Sequence, residues 1–322
     1  LIAAFALLNM MLFADGEAKR RIPVGGQAVI EGVLMRGSEN WGLAVRDPKG
    51  KVVLQSWPAS KWLKAAPWKY PVVRGFATMV EMMRVGMKAL SISADISLGE
   101  EEKISPLEGA LSIGAALLGV VVLFIALPML LSEYLAAHFA LSRFAANMIE
   151  GVARGAVFVA YVALISLWKD IARVFEYHGA EHKTINAFEH GERLEPERVA
   201  EYSRIHRRCG TSFLIVVIVV GILVFASIGK GGVLWRVGSR VALLPLVIGL
   251  SYEFIRGAAE SESWGRYLIM PALLLQYITT RTPSRDQLEV AIAALGEALR
   301  PIEKDTASGG AKDGTDRQAE GN

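Results

Sequence analysis

The sequence predicts a mainly α-helical, polytopic membrane protein with four to five hydrophobic segments and a small β-containing region near its N-terminus. Three observations carry this. Hydrophobic residues make up 52% of the 322 and mean hydropathy is +0.35, more apolar surface than a water-soluble fold of this length readily hides. Uncharged runs long enough for a hydrocarbon core about 30 Å thick recur from Gly109 onward. Between Val24 and Trp57, short β-favouring runs separated by glycines and turn residues replace them.

Residues 1–22 read as an apolar leader. They lack the basic n-region of a secretory signal, and Leu1 in place of Met makes a start assigned too far upstream the competing reading. Residues 23–60 form the β region: QAVIEGVLMRG, WGLAVRD and KVVLQSW give two or three short strands, with Asp47 to Gly50 as a hairpin turn. So small a sheet buries too little area alone and is expected to dock on the membrane domain. Residues 61–106 set Trp62, Trp68 and Tyr70 among lysines, then continue as a Met-rich amphipathic helix from Arg74 to Leu90. That composition suits the lipid headgroup layer or a helix packed on the sheet.

Residues 107–283 are the membrane domain. Its clear segments are Gly109 to Ser132, Phe144 to Trp168 and Ser212 to Gly229. Val241 to Tyr252 reaches spanning length only if Glu253 is admitted, and Tyr267 to Thr280 is shorter still, hence re-entrant or interfacial. Glu150 and Arg154, four apart, are placed to pair inside the second segment. After Pro283, a capping box of Ser284 and Gln287 opens an amphipathic helix over 284–304 with Leu288, Ile292, Leu295 and Leu299 on one stripe. The tail 305–322 is small and polar, a composition for disorder.

Basic residues stay cytoplasmic when they lie near span ends. Fourteen Lys or Arg lie between Lys19 and Lys103 and eight between Lys169 and Arg208, against one in Glu133 to Arg143 and three in Lys230 to Arg240. The expectation is an inner-membrane protein whose N-terminal region and central loop 169–211 are cytoplasmic. A single cysteine, Cys209, excludes an internal disulfide. The net charge of +3 is too small to point to nucleic acid.

His178, Gly179, Ala180, Glu181 and His182 spell HxxEH. On a helix, residues four apart share a face, so two imidazoles can close on one divalent cation, with Glu181 beside them to take a proton. His206 and Cys209 precede the third segment on the same side, and their spacing of three suits one helical face and a borderline metal such as zinc. Glu253 follows Arg240 by thirteen residues, about 20 Å of helix, which returns it to the inner leaflet as a further ligand candidate; pairing with Arg256 is its bland alternative. Surface histidines and an inert buried thiol are the corresponding alternatives for the others. His138 and His190 fall in a short link and near a helix end and are weak candidates.

GGQAVIEGVLMRG, RVFEYHGAEHKTINAFE, HRRCGTSFL and LLLQYITTRTPSRDQLEVAIAAL together resemble the YqhQ-like family of bacterial polytopic membrane proteins, from Val24 to about Leu299. That family is described as a domain of unknown function and as predicted metal-dependent enzymes, so the resemblance implies a membrane topology and a metal site. The family's His-Pro-Arg-Cys is here His206, Arg207, Arg208 and Cys209, which keeps both candidate ligands and loses the proline.

Two readings from different classes follow. One is a metal-dependent membrane hydrolase, with zinc held by His178, His182 and one or more of His206, Cys209 and Glu253, and Glu181 as proton acceptor. The other is a non-enzymatic membrane factor, such as an accessory subunit of protein insertion or of an envelope complex, in which the His/Cys cluster is structural. A transporter ranks third, because no internal repeat accompanies the intramembrane charges.

Overall fold

The computed structural model describes residues 24–98, 106–228, 232–261 and 264–301. The leader and the tail lie outside them. Four antiparallel strands come first, β1 (Gly25–Val29), β2 (Gly32–Arg36), β3 (Asn40–Arg46) and β4 (Val52–Pro58), in the order β1-β2-β3-β4. The expected two or three strands are therefore four, because QAVIEGVLMRG folds back on itself. Its tight turn at Ile30 and Glu31 puts the non-glycine Glu31 at φ 50. A side chain rarely adopts this conformation, and here tertiary contacts hold it: the Glu31 carboxylate takes a fork from Arg173 and the Tyr177 hydroxyl at 3.2 Å. The expected Asp47 to Gly50 turn is present, with Asp47 Oδ1 accepting from the Lys49 and Lys51 amides and Gly50 at φ 84.

Helix α1 (Val73–Leu98) follows. Next come α2 (Pro106–Val121), a π-helical turn at Val122–Ala126, and α3 (Leu127–His138), then α4 (Arg143–Ile165) and α5 (Lys169–Glu189). The short α6 (Pro196–Val199) leads to α7 (Gly210–Ala226), α8 (Val233–Glu260), α9 (Trp264–Thr279) and α10 (Arg285–Leu299).

The sheet is buried on both faces, which is why β2 and β3 read as continuous apolar runs. Val33, Met35 and Ala44 face Ala291, Ala294, Leu295 and Ala298 of α10, together with Tyr177 and Ala180 of α5. Leu34, Trp41, Leu43 and Val45 face Val85 and Ala89 of α1. Close approach of α10 needs a glycine in β3: a Cβ at Gly42 would lie 2.4 Å from the Ala294 carbonyl oxygen. The capping box holds as expected, Ser284 Oγ accepting from the Gln287 amide and Gln287 Oε1 from the Ser284 amide.

Three stretches among the described residues are long and apolar enough to cross a membrane, Gly114–His138, Phe144–Ile165 and Gly238–Ala258; Gly210–Phe225 and Met270–Thr279 are shorter apolar helices. The ranking of the last segments thus differs from the sequence reading: α8 is the long helix and α7 the short one. The reason is helix length: α8 runs unbroken for 28 residues, charged ones included, whereas α7 ends after 17. Two of those charges, Arg240 and Glu253, are paired with neighbouring elements. Arg240 donates to both Glu150 oxygens, at 2.7 and 2.8 Å, and Arg154 joins the same carboxylate at 2.7 Å. Glu253 receives a two-pronged Arg74 and the Val72 amide at 3.3 Å. Pairing of this kind lowers the cost of holding ionisable groups within an apolar helix. The π turn has a similar account. Pro128 has no amide to offer the carbonyl of Phe124 four residues back, and Arg154 Nε donates to that oxygen at 2.9 Å instead.

Candidate metal centre

The motif segment is polar in composition and buried in place. From Gly179 to Glu189 every residue of α5 is buried, and buried polar groups need partners or a function. Two straps supply most of the partners. The first is the chain after α9. The Arg281 amide donates to the Phe175 carbonyl at 2.8 Å, and a Cβ at Gly179 would lie only 2.0 Å from the Arg281 oxygen. The small residue inside HxxEH is thus a passage for this strap, which brings the Thr279 carbonyl to His178 Nδ1 at 2.8 Å. The second strap is the loop after α6. Lys183 Nζ donates to the carbonyls of Ala200 and Tyr202, Asn186 Nδ2 to those of Ser203 and Ile205, and the Arg204 carbonyl faces His182 Nδ1 at 2.6 Å.

A carbonyl can only accept, so both histidines carry their proton on Nδ1 and turn Nε2 the other way. There the Cys209 sulfur waits, 3.3 Å from His178 Nε2. One ligand atom from each of His178, His182 and Cys209 lies within 4.8 Å of the others. His182 Nε2 is buried with no hydrogen-bond partner; its approach to the sulfur acts on the thiol electrostatically but falls short of a hydrogen bond. Glu181 accepts from the Gly26 amide of β1, and its Oε2 is a second buried atom without a partner. Orphaned acceptors beside a thiol are what a cation-binding donor set leaves when its own atoms cannot satisfy one another.

The electrostatics couple the thiol to the imidazoles, and a cation would take the place of the proton that His178 Nε2 shares with the sulfur. Burial pushes the Cys209 thiol up, but the imidazoles of His182 and His178 outweigh it and hold the pKa well below the usual thiol range. Burial opposes charge on His178 as well, and the adjacent Cys209 overrides it, lifting His178 to about 9. Burial raises the Glu181 carboxyl, with the two histidines pulling the other way.

The spacing argument for His206 and Cys209 does not describe their geometry, because 206–209 is not helical. Cys209 is the N-cap of α7, extended at ψ 137, and its sulfur accepts from the Thr211 amide. His206 lies at the edge of the group, its ring 5.8 Å from that of His182 between centroids. Its Nδ1 accepts from the Arg208 amide at 3.4 Å, and Nε2 faces Glu189 at 3.5 Å. Burial lowers His206 to about 4, so the ring is neutral and the Glu189 contact is a hydrogen bond rather than an ion pair. Glu253 is not brought to the histidines: Arg74 occupies both its oxygens where α1 meets α8, and Arg256 adds a weaker charge interaction. Glu150 and Arg154 pair as expected and gain Arg240.

Sequence reasoning did not find Gln276. Fully buried on α9, it reads the backbone of the Cys209 segment, Oε1 accepting from the His206 amide at 2.9 Å while Nε2 donates to the His206 carbonyl at 2.8 Å and to Ser212 Oγ at 2.9 Å. The signal available was a lone glutamine inside an apolar helix, which needs partners from elsewhere.

The family model described as "Protein of unknown function (DUF1385)" matches residues 70–301, a span that contains every candidate ligand. The chain belongs to the DUF1385 family. "Uncharacterized protein YqhQ" of Bacillus subtilis (strain 168) is 34% identical over 304 residues, covering 88% of this chain and 95% of the relative. The expected YqhQ-like membership is therefore a finding. No solved structure matches the chain.

Proposed function

We propose that this DUF1385 protein is a metal-dependent hydrolase working at a membrane boundary, with one divalent cation held by His178, His182 and Cys209. Zinc suits two imidazoles and a thiolate. The observation that carries the reading is that both Nδ1 atoms are committed to backbone carbonyls while both Nε2 atoms and the sulfur converge within 4.8 Å. Three protein ligands leave a fourth position for water or substrate, and a cation there would supply Lewis acidity and acidify a water. Glu181 is the group that takes the proton. Its orphaned Oε2 is a free acceptor, and burial raises its pKa, which strengthens it as a base. The distribution of basic residues supports a cytoplasmic placement of the site in the bacterial inner membrane.

The test is elemental analysis of the detergent-purified full chain, with Co(II) replacement as a second readout. About one equivalent of metal is expected, with a thiolate-to-cobalt band that disappears in Cys209→Ser, and metal loss in the His178→Ala, His182→Ala double variant. Folded, metal-free protein overturns the reading.

The depth of the group favours one alternative, since Glu181 is 4% and His182 1% exposed. In a non-enzymatic membrane factor, an accessory subunit of protein insertion or of an envelope complex, the same cluster would lock the two straps to α5. Glu181→Gln separates the two. A hydrolase keeps its metal and loses function in cells, whereas a structural site tolerates the change.

A further inference from the structure

We infer that the outward face of α1 is a lipid-binding surface, seated in the headgroup and upper acyl layer of the leaflet where the Gly238–Ala258 span ends, with a preference for anionic lipid. Val73, Val80, Met83, Met87 and Leu90 are all exposed, Met83 and Met87 by more than 60%. Val73, Val80 and Met87 are seven apart in turn, as are Met83 and Leu90, so at about 100° per residue they form one stripe roughly 100° wide. The opposite side is accounted for: Val85 and Ala89 pack on the sheet, and Gly75 packs on α8. Among the described residues, none covers the stripe.

Three features point to a bilayer as the occupant. The first is continuity. The start of α1 is fastened to a helix apolar and long enough to cross a membrane: a Cβ at Gly75 would lie 3.0 Å from Gly249 Cα, and Arg74 is forked on Glu253. Leu250 and Phe254 of α8, beside Gly249 and Glu253 at that junction, are also exposed apolar side chains. The second is charge. Arg84 and Lys88 run along one edge of the stripe, and Lys61 and Lys69 lie in the segment leading into it, all exposed, with the Lys88 ammonium 4.4 Å over the Trp57 ring and that of Lys69 5.7 Å over Tyr70. Of the two acids on α1, Glu81 is buried and accepts from Ser60 Oγ and the Trp62 indole, and the exposed Asp95 lies beyond Leu90, past the end of the stripe. The third is aromatic content. Trp62 and Trp68 meet edge to face at 5.4 Å and Tyr70 is 54% exposed, amphipathic rings of the kind that collect at headgroup depth. A helix with apolar and basic sides of this sort lies in the interface plane and is held more firmly by anionic lipid.

The test uses the full chain in vesicles of phosphatidylcholine with and without phosphatidylglycerol. Nitroxides are placed singly at Met83→Cys, Met87→Cys and, as a water-exposed reference in the β3–β4 turn, Lys49→Cys; unsubstituted protein reports any labelling of buried Cys209. At Met83 and Met87, accessibility to oxygen relative to a soluble nickel chelate is expected to be several-fold higher than at Lys49. Adding Arg84→Gln and Lys88→Gln should lower that ratio in the phosphatidylglycerol vesicles and leave it unchanged in phosphatidylcholine alone. Labels as open to nickel as Lys49 would overturn the proposal, as would labels immobilised and shielded from both reagents, which would mean a protein partner or a second copy covers the face. A charge-insensitive ratio would overturn the anionic preference.

Discussion

At the scale of single residues, Gly179 shows how much of the motif is geometry rather than chemistry. HxxEH leaves its second position open, yet here only hydrogen fits, because the Arg281 carbonyl passes 2.0 Å from where a Cβ would stand. Gly179→Ala must displace backbone, so it should destabilise the fold by about 1–3 kcal/mol. It should also loosen the Thr279 carbonyl that orients His178; thermal unfolding in detergent and metal content together check this, and an unshifted midpoint would contradict it. His206 offers a pH test. Burial lowers it from 6.5 to about 4 when folded. Between those values the unfolded chain binds more protons, so the stability His206 contributes is full above 6.5 and is lost as pH falls toward 4. The thermal midpoint should fall across that window, and less steeply in His206→Asn; parallel curves for the two proteins would remove the attribution.

Among elements, the instructive case is the trio α3, α4 and α8. Pro128 opens a gap in the first apolar helix, Arg154 fills it by donating to Phe124, Glu150 neutralises Arg154, and Arg240 arrives from α8 to share that carboxylate. Each group answers a need created by another. Removing the shared acid leaves two guanidinium groups facing one another, and Glu150→Gln is expected to cost about 3–5 kcal/mol, the usual scale for stripping a buried cation of its partner. Denaturant unfolding in detergent would show it. A loss no larger than that of an exposed ion pair, about 1 kcal/mol or less, would mean the network is hydrated. Sequence spacing revealed the Glu150–Arg154 pair because it lies within one helix. Arg240, ninety residues away, could not be assigned to it.

The whole molecule brings the site together from four separated stretches. α5 provides the imidazoles and Glu181, the loop after α6 and the strap after α9 orient them, α7 begins at Cys209, and β1 reaches Glu181 through the Gly26 amide. Gln276 couples α9 to the Cys209 segment through three hydrogen bonds. Gln276→Leu keeps the apolar character of α9 but frees that segment, and metal affinity should weaken about 10- to 100-fold, as for other groups that support metal ligands from behind. Chelator competition on folded protein measures this, and unchanged affinity would show that the loop holds Cys209 unaided.

The apolar segments, the hairpin at Asp47, the capping box at Ser284 and the placing of His178 with His182 on one helical face were all legible in the order of residues. These depend on composition or on residues within a turn or two of each other, where helix and strand periodicity fixes the geometry. Contacts between distant stretches settled that Cys209 joins the histidines while Glu253 turns to Arg74, that Glu31 closes a fourth strand, and that Arg240 of α8 shares Glu150 with Arg154. Such outcomes rest on which distant backbone carbonyl or charge comes within hydrogen-bonding reach, and local periodicity carries no information about that.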